Sequence, residues 1–227
     1  VRGDRYSSGT TIYKSTGNVV IEPVANLFSE NTTLTNQTFT GNASLTIGKS
    51  TNTRTMTVTG GAINVTGNYT LYGSAITQTT PVTTSAGSIF IYPSTTYAGA
   101  GALTSTLGAV TISGGSSISP TGAISAAGNV SFSGSGEFTN STAAISSSAG
   151  AISITSSGGT ITTSASLTAQ TNVSLSSGGN MTLGAATTAN TSDVLLTADT
   201  MAINATVSAA SGVVTIAPRT DALQINL

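Results

Sequence analysis

The sequence predicts an all-β protein built as a parallel β-helix, in which three short strands form a coil of about 21 residues and roughly ten coils stack. Three observations lead to this fold class. A five-residue motif starts ten times along the chain at nearly regular intervals. Apolar and polar residues alternate within each copy, which is the periodicity of a β-strand. Further apolar centres follow each copy, and paired glycines separate them in several repeats.

The motif supplies the first strand of each coil. It reads small residue, any residue, apolar, usually Thr or Ser, apolar, as in 150–154. Because alternate side chains of a strand point to opposite faces, the first apolar position should face inward in every copy. The resulting core ladder comprises Val19, Leu45, Tyr69, Ile89, Val110, Val130, Ile152, Val173, Val194 and Val214. The residue after each of these should face outward, and seven of the ten are Thr or Ser.

Two further apolar centres predict the second and third strands. In one repeat they are Ile118 and Ile124, and a different repeat has only Thr187 near its third centre. Gly-Gly pairs such as 114–115 suit the corners, because glycine adopts positive φ freely. One coil cannot bury its own apolar side, so the coils must stack. At the ordinary strand spacing of ~4.8 Å, ten coils would form a rod of roughly 48 Å.

The domain organisation follows from the spacings between motif copies. The two longest spacings separate the first three motif starts, at Gly17, Ala43 and Gly67. We therefore expect a single β-solenoid over 1–227, with irregular longer coils over 1–66 and regular coils over 67–227. A β-sandwich is the alternative fold, since it also has many short strands between turns. It does not require a fixed repeat length with three equivalent centres in every repeat.

The composition excludes several classes of function. Ser, Thr and Gly make up nearly half of the chain, which contains no His, Cys or Trp. Thiol nucleophiles, histidine bases, Ser-His-Asp triads and Cys/His zinc sites are therefore excluded. A formal net charge of −1 argues against a nucleic-acid partner. No apolar run approaches the ~18 residues of a membrane-spanning helix. We predict no cofactor and no metal.

Two groups of residues are candidate sites. Arg2, Gly3 and Asp4 form the tripeptide that integrins recognise, although three common residues also coincide by chance. Asp193, Asp199 and Asp221, with Arg219 nearby, are the carboxylates from which a glycan-cleaving site could be built. No aromatic platform for a sugar accompanies these acids, and their positions suit solvated corners. We therefore predict that the protein is not an enzyme.

Asparagine and threonine patterns suggest further roles. Asn-x-Ser/Thr occurs at Asn31, Asn36, Asn42, Asn64, Asn68, Asn129, Asn140, Asn172, Asn180, Asn190 and Asn204, and each could accept a glycan in a secreted protein. Asn18, Asn68, Asn129 and Asn172 share one column, where stacked amides could bond between coils. Thr55-x-Thr57-x-Thr59 has the local pattern of an ice-binding surface. We expect no two-column threonine array, because the pattern does not recur at the same offset.

A family resemblance supports the fold class. The stretches 128–132, 150–154 and 213–220 resemble the repeats of filamentous-haemagglutinin-like bacterial surface adhesins, the exoproteins of two-partner secretion systems. The resemblance is strongest over 108–227. It implies a right-handed parallel β-helix that is exported across an outer membrane and forms a repeat shaft. The Asn-Pro-containing motifs of the family's secretion domain are missing, since the chain has no Asn-Pro dipeptide.

These observations favour a non-enzymatic protein, secreted or on the cell surface, that forms the shaft of an adhesin or filament. The alternative is a subunit of an extracellular fibre in which solenoids stack end to end. Expected partners are a host-cell or surface ligand and further copies of the same chain, which would associate through the ends of the solenoid. Because the last repeat stops after two of its three centres, we expect the chain to continue past Leu227 or to be capped there by another subunit.

Overall fold

The computed structural model describes residues 11–220, in which 27 β-strands and no helix are found. Every strand pair is parallel and joins a strand to its equivalent one turn along the chain. The all-β solenoid predicted from the repeat is therefore confirmed. Each central strand has a neighbour on both sides, so backbone N–H and C=O groups are paired without help from charged side chains.

The strands form three faces, and face A carries the five-residue motif. Each of its strands pairs with the next copy of the motif along the chain. Face A consists of β2 (Asn18–Ile21), β5 (Ser44–Ile47), the first half of β8 (Tyr69–Gln78), the first half of β10 (Ile89–Gly99), β12 (Val110–Ser113), β15 (Val130–Gly134), β18 (Ile152–Ser156), β21 (Val173–Ser177), β24 (Val194–Thr197) and β27 (Val214–Ala217).

Face B carries the second apolar centre of each repeat. Strands β8 and β10 reach it without a break, so they run over the corner between the two faces. Face B consists of β3 (Thr32–Thr35), β6 (Met56–Thr59), the second halves of β8 and β10, β13 (Ser117–Pro120), β16 (Glu137–Asn140), β19 (Ile161–Thr163), β22 (Asn180–Leu183) and β25 (Thr200–Ile203).

Face C is a separate sheet of ten strands and carries the third centre. It consists of β1 (Thr11–Lys14), β4 (Gln37–Asn42), β7 (Ala62–Val65), β9 (Val82–Thr84), β11 (Leu103–Ser105), β14 (Ile124–Ala126), β17 (Ile145–Ser147), β20 (Leu167–Ala169), β23 (Thr187–Ala189) and β26 (Val207–Ala209).

The described strands make about nine turns, with β1 before the first and β27 after the last. The sequence predicted roughly ten coils. The difference arises because the motif copy that starts at Gly212 contributes only β27 within 11–220. At ~4.8 Å per turn, nine turns extend about 43 Å.

The core fills the space inside the three faces and is mainly aliphatic and aromatic, with a smaller set of buried polar side chains. Phe132 and Phe138 pack with ring centroids 5.0 Å apart, and Tyr13 stacks on Phe39 at 4.7 Å. Tyr69 and Tyr97 are buried, and burial raises the pKa of both phenols. A Cβ added at Gly99 would collide with the Tyr97 hydroxyl, so this position needs a glycine.

Irregularities concentrate in the first turns. The register between β4 and β7 shifts between Thr40 and Asn42. The connections 22–31 and 48–55 are longer than those in later turns, and the first buries Phe28. A further register shift occurs in β10 between Pro93 and Thr96, at the corner of faces A and B. The two long connections account for the longer motif spacings near the amino terminus.

Candidate functional site

The strand pairing places the ten ladder residues opposite one another in a single column. Val19 pairs with Leu45, and the pairing continues through every predicted member to Val214. The eight inner members are completely buried. Val19 is half-buried and Val214 is 38% exposed. Both are more accessible than the inner members because they lie in the first and last strands of face A. The column is therefore structural and offers no surface to a ligand.

A second column lies at the corner just before face A and holds the turns together. The Asn68 Oδ1 accepts a hydrogen bond from the backbone N–H of Ser88 at 2.9 Å, and the Ser88 Oγ accepts one from Ala109 at 3.0 Å. Further along, the Asn129 Oδ1 accepts from the Ala151 N–H at 2.9 Å, and the Asp193 Oδ1 accepts from the Val213 N–H at 2.8 Å.

This geometry corrects the expectation of stacked amides. Members of the asparagine column occupy non-adjacent turns, so amides cannot reach one another. The residue that follows Asn129 in the column is Ala151, and its backbone N–H is the donor. At the start of the chain the Asn18 Oδ1 instead accepts from the Ser44 hydroxyl at 2.8 Å. The side chains of Asn18, Asn68 and Asn129 therefore bond to the next turn rather than to one another.

The acidic residues near the carboxyl end are engaged in similar contacts. The Asp199 carboxylate accepts from the backbone N–H of Thr220 at 2.7 Å and from its hydroxyl at 2.8 Å. These hydrogen bonds, with Arg219 nearby, lower the pKa of Asp199. The Arg219 Nη1 donates to the Ser157 carbonyl at 2.8 Å. Asp221 lies outside the described residues. Within 11–220, no group of three or more Asp, Glu, His or Cys residues could hold a metal ion.

The threonine surface is more regular than the sequence suggested. Thr57 pairs with Thr33 on one side and Thr77 on the other. Thr35 pairs with Thr59, whose Oγ1 accepts from the Thr79 Oγ1 at 2.9 Å. Two columns of threonine therefore cover three turns of face B, and the expectation of no array was wrong. The loop 48–55 changes the offset of β6 within its repeat, which hid the match.

The remaining sequence candidates differ in accessibility. Asn42 and Asn140 are completely buried, so neither amide is presented to a glycosyltransferase in the folded chain. Asn129 and Asn190 are exposed. Arg2, Gly3 and Asp4 lie outside the described residues. No helix in the described part of the chain is long and apolar enough to cross a membrane.

One cleft was not found from the sequence. It lies where β8 and β10 cross the corner between faces A and B, and its volume is about 270 Å³. Its lining consists of Ser50, Asn52, Tyr72, Gly73, Tyr92, Pro93 and Ser94. Gly73 and Pro93 are buried pairing partners at the corner, while the loop 48–55 closes one side.

Aromatic rings form one wall of this cleft. Tyr72 and Tyr92 are pairing partners in adjacent turns, so their outward side chains stack, with centroids 5.0 Å apart and planes inclined by 16°. Phe90 lies two residues before Tyr92 on the same face, 6.4 Å from it and parallel to within 1°. All three rings are half-buried. Burial raises the pKa of Tyr72 above its ordinary value, and the neighbouring Tyr92 adds to the shift.

An unsatisfied amide lies beside the aromatic wall. Asn52 is 4% exposed. Its backbone N–H donates to the Lys49 carbonyl at 2.8 Å, and its Oδ1 accepts from the Arg54 N–H at 3.2 Å. Its Nδ2 has no hydrogen-bond partner within 11–220. The loop is therefore held from the backbone and the Oδ1, while the buried Asn52 Nδ2 makes no hydrogen bond within the described residues.

Comparisons of the chain with protein-family models, curated proteins and solved structures found no match. The repeat architecture is therefore established by the strand register alone. The adhesin resemblance of the repeats has no support from these comparisons.

Proposed function

We propose that the chain is a non-enzymatic structural and adhesive β-solenoid located outside the cell. In this proposal it forms part of the shaft of a bacterial surface adhesin or filament. The observation that carries the proposal is the parallel pairing of face A from β2 to β27. A stack with one repeating cross-section supplies length, and each added turn contacts only its neighbours. A shaft must be long and must be similarly stable along its whole length, and a stack of equivalent turns meets both requirements.

The chemistry of the surface supports a structural role. Hydroxyl side chains dominate the outward positions of face C, where Thr83, Thr104 and Ser125 lie in successive turns. Ser and Thr hydroxyls are not acids or bases near neutral pH, and the carboxylates of Asp193 and Asp199 make structural hydrogen bonds. The resemblance to filamentous-haemagglutinin-like repeats supports secretion and surface display. The proposal includes no cofactor.

The second candidate is a subunit of a fibre that assembles end to end. Within 11–220, the strands of the first and last turns have a pairing neighbour on one side only. Such edges pair readily with another chain. If they pair with a second copy, sheets continue from one subunit to the next and the fibre lengthens without a new kind of contact.

Surface labelling tests the proposal directly. Antibodies raised against the purified chain are applied to intact and to permeabilised cells of the source organism, and bound antibody is measured by flow cytometry. We expect intact cells to label as strongly as permeabilised cells, and brief protease treatment of intact cells to remove the label. Labelling that requires permeabilisation would contradict an extracellular role for shaft and fibre alike.

A further inference from the structure

We propose that the cleft between Tyr72, Tyr92 and Asn52 binds a neutral pyranose unit of a glycan. This inference rests on the proposed surface role for its biological setting and gives the adhesive part of that role a ligand class. It does not depend on the threonine columns or on the ends of the solenoid. The observations that carry it are the stacked rings, the buried and unpartnered Asn52 Nδ2, and the absence of charge in the lining.

The aromatic wall provides the apolar half of a sugar site. One side of a pyranose ring carries mainly C–H bonds and packs against aromatic carbon, whereas hydroxyl groups project from its rim. Tyr combines an apolar ring with a polar tip, so it contacts both parts of a sugar. Tyr72 and Tyr92 are held by β-strand register rather than by loops, which keeps the wall rigid.

Asn52 provides the polar half. A buried amide N–H₂ without a hydrogen-bond partner is energetically costly. A ligand hydroxyl that accepts from the Asn52 Nδ2 would remove that cost. Ser50 and Ser94 are exposed at the margin of the cleft and can donate or accept further hydrogen bonds. The directional contacts thus lie beside the aromatic surface, as sugar recognition needs.

Size and charge select a neutral sugar over other small ligands. The cleft's 270 Å³ is near the lower end of small-molecule sites, about 300 Å³, and therefore suits one sugar ring rather than a large cofactor. None of the seven lining residues is charged. Arg54, in the same loop, donates through its Nε to the Phe28 carbonyl at 3.3 Å. Phosphate and sulfate groups would thus find no cation among the lining residues.

Saturation-transfer difference NMR on the intact chain tests the inference. The probes are the methyl pyranosides of glucose, galactose, mannose and N-acetylglucosamine, with a heparin-derived oligosaccharide as the charged comparison. We expect at least one neutral pyranoside to show saturation transfer that is unaffected by added salt. Tyr92→Ala should weaken that binding at least tenfold, whereas Tyr92→Phe keeps the ring and should retain most of it.

The Asn52→Asp variant tests the amide separately. It keeps the Oδ1 that accepts from Arg54 and removes the Nδ2 donors, so sugar binding should weaken while the loop stays in place. Thermal melting identifies any variant that fails to fold, and Asn52→Ala, which also removes the Nδ2 donors, then serves in its place. The inference is overturned if no neutral pyranoside binds, if only the heparin fragment binds, or if binding survives Tyr92→Ala. None of these outcomes affects the cell-labelling result.

Discussion

The Asn129 Oδ1 accepts a hydrogen bond from the backbone N–H of Ala151, 2.9 Å away in the next turn of the solenoid. Asp193 makes the same contact to Val213 three turns later, and Ser88 makes it to Ala109 through a shorter side chain. Different residue types thus perform one task, which is to pair a corner N–H that the strand ladders leave open. Asparagine, aspartate and serine all supply this acceptor in the column.

Replacing this acceptor should weaken the stack. Asn129→Ala removes the Oδ1 and leaves the Ala151 N–H to water, so we expect a loss of about 0.5–1.5 kcal/mol in the free energy of unfolding. Asn129→Asp should retain most of the stability, because Asp193 shows that a carboxylate fits the column. Urea denaturation measures both variants. Asn204→Ala, at an exposed asparagine, is the control, and equal losses in the two alanine variants would contradict the assignment.

A buried hydroxyl offers the opposite test. Thr187 lies between Leu167 and Val207 on face C, is completely buried, and its Oγ1 has no partner within 11–220. Thr187→Val keeps the branched shape of the side chain and removes the unpaired hydroxyl. The free energy of unfolding should therefore rise by about 1–2 kcal/mol.

The neighbouring residue supplies the control for that test. Thr188 lies on the outer side of the same strand and is partly exposed. Thr188→Val should change stability by no more than ~0.5 kcal/mol. If the two variants melt at the same temperature, the hydroxyl of Thr187 is paired in solution and the burial argument fails.

The register of face A can be tested with a charge. Ile152 is completely buried between Val130 and Val173, so Ile152→Asp would bury an unpaired carboxylate and should destabilise by several kcal/mol. Ser153 lies on the outer side of the same strand. Ser153→Asp should alter stability by no more than ~0.5 kcal/mol. Equal thermal shifts in the two variants would contradict the assigned register.

These tests also show how far the sequence could predict the structure. Strand alternation and the nearly constant repeat length were sufficient to align Ile152 with Val130 and Val173, because both patterns are local and periodic. The repeat length also aligned Thr187 with the apolar third centres of the other repeats. It therefore predicted that Thr187 faces inward. Fold and core orientation could thus be predicted from residue order alone.

The cleft could not be predicted in the same way. Tyr72 and Tyr92 occupy the same offset in successive repeats, so their stacking was available from the sequence. The position of Asn52 was not, because it depends on how the irregular loop 48–55 folds against the corner. The threonine columns were missed for a related reason, since that loop shifts β6 relative to its repeat.

Alkaline pH should unfold the solenoid through its buried phenols. Burial raises the pKa of Tyr97 and of Tyr69, with the neighbouring Tyr97 adding to the shift in Tyr69. The folded chain therefore keeps these protons at a pH where the unfolded chain has released them. Their contribution to stability is complete below about pH 10, the ordinary tyrosine value, and is lost progressively above it.

Ultraviolet absorbance of the phenolate during a pH titration measures this effect. Accessible tyrosines should ionise first, and the absorbance of the buried pair should appear only together with loss of the β-sheet circular dichroism signal. Tyr97→Phe should move that unfolding transition to higher pH. A titration in which every phenol ionises while the circular dichroism is unchanged would contradict the burial of Tyr69 and Tyr97.

The most direct test of the proposed shaft is immunogold electron microscopy of the native material on whole cells. The account predicts gold particles on thin structures that project from the cell surface, at a fixed distance from the membrane for a shaft. Regular labelling along continuous filaments would favour the end-to-end fibre. Gold confined to the cytoplasm, or to compact particles with no elongated structure, would contradict the central claim.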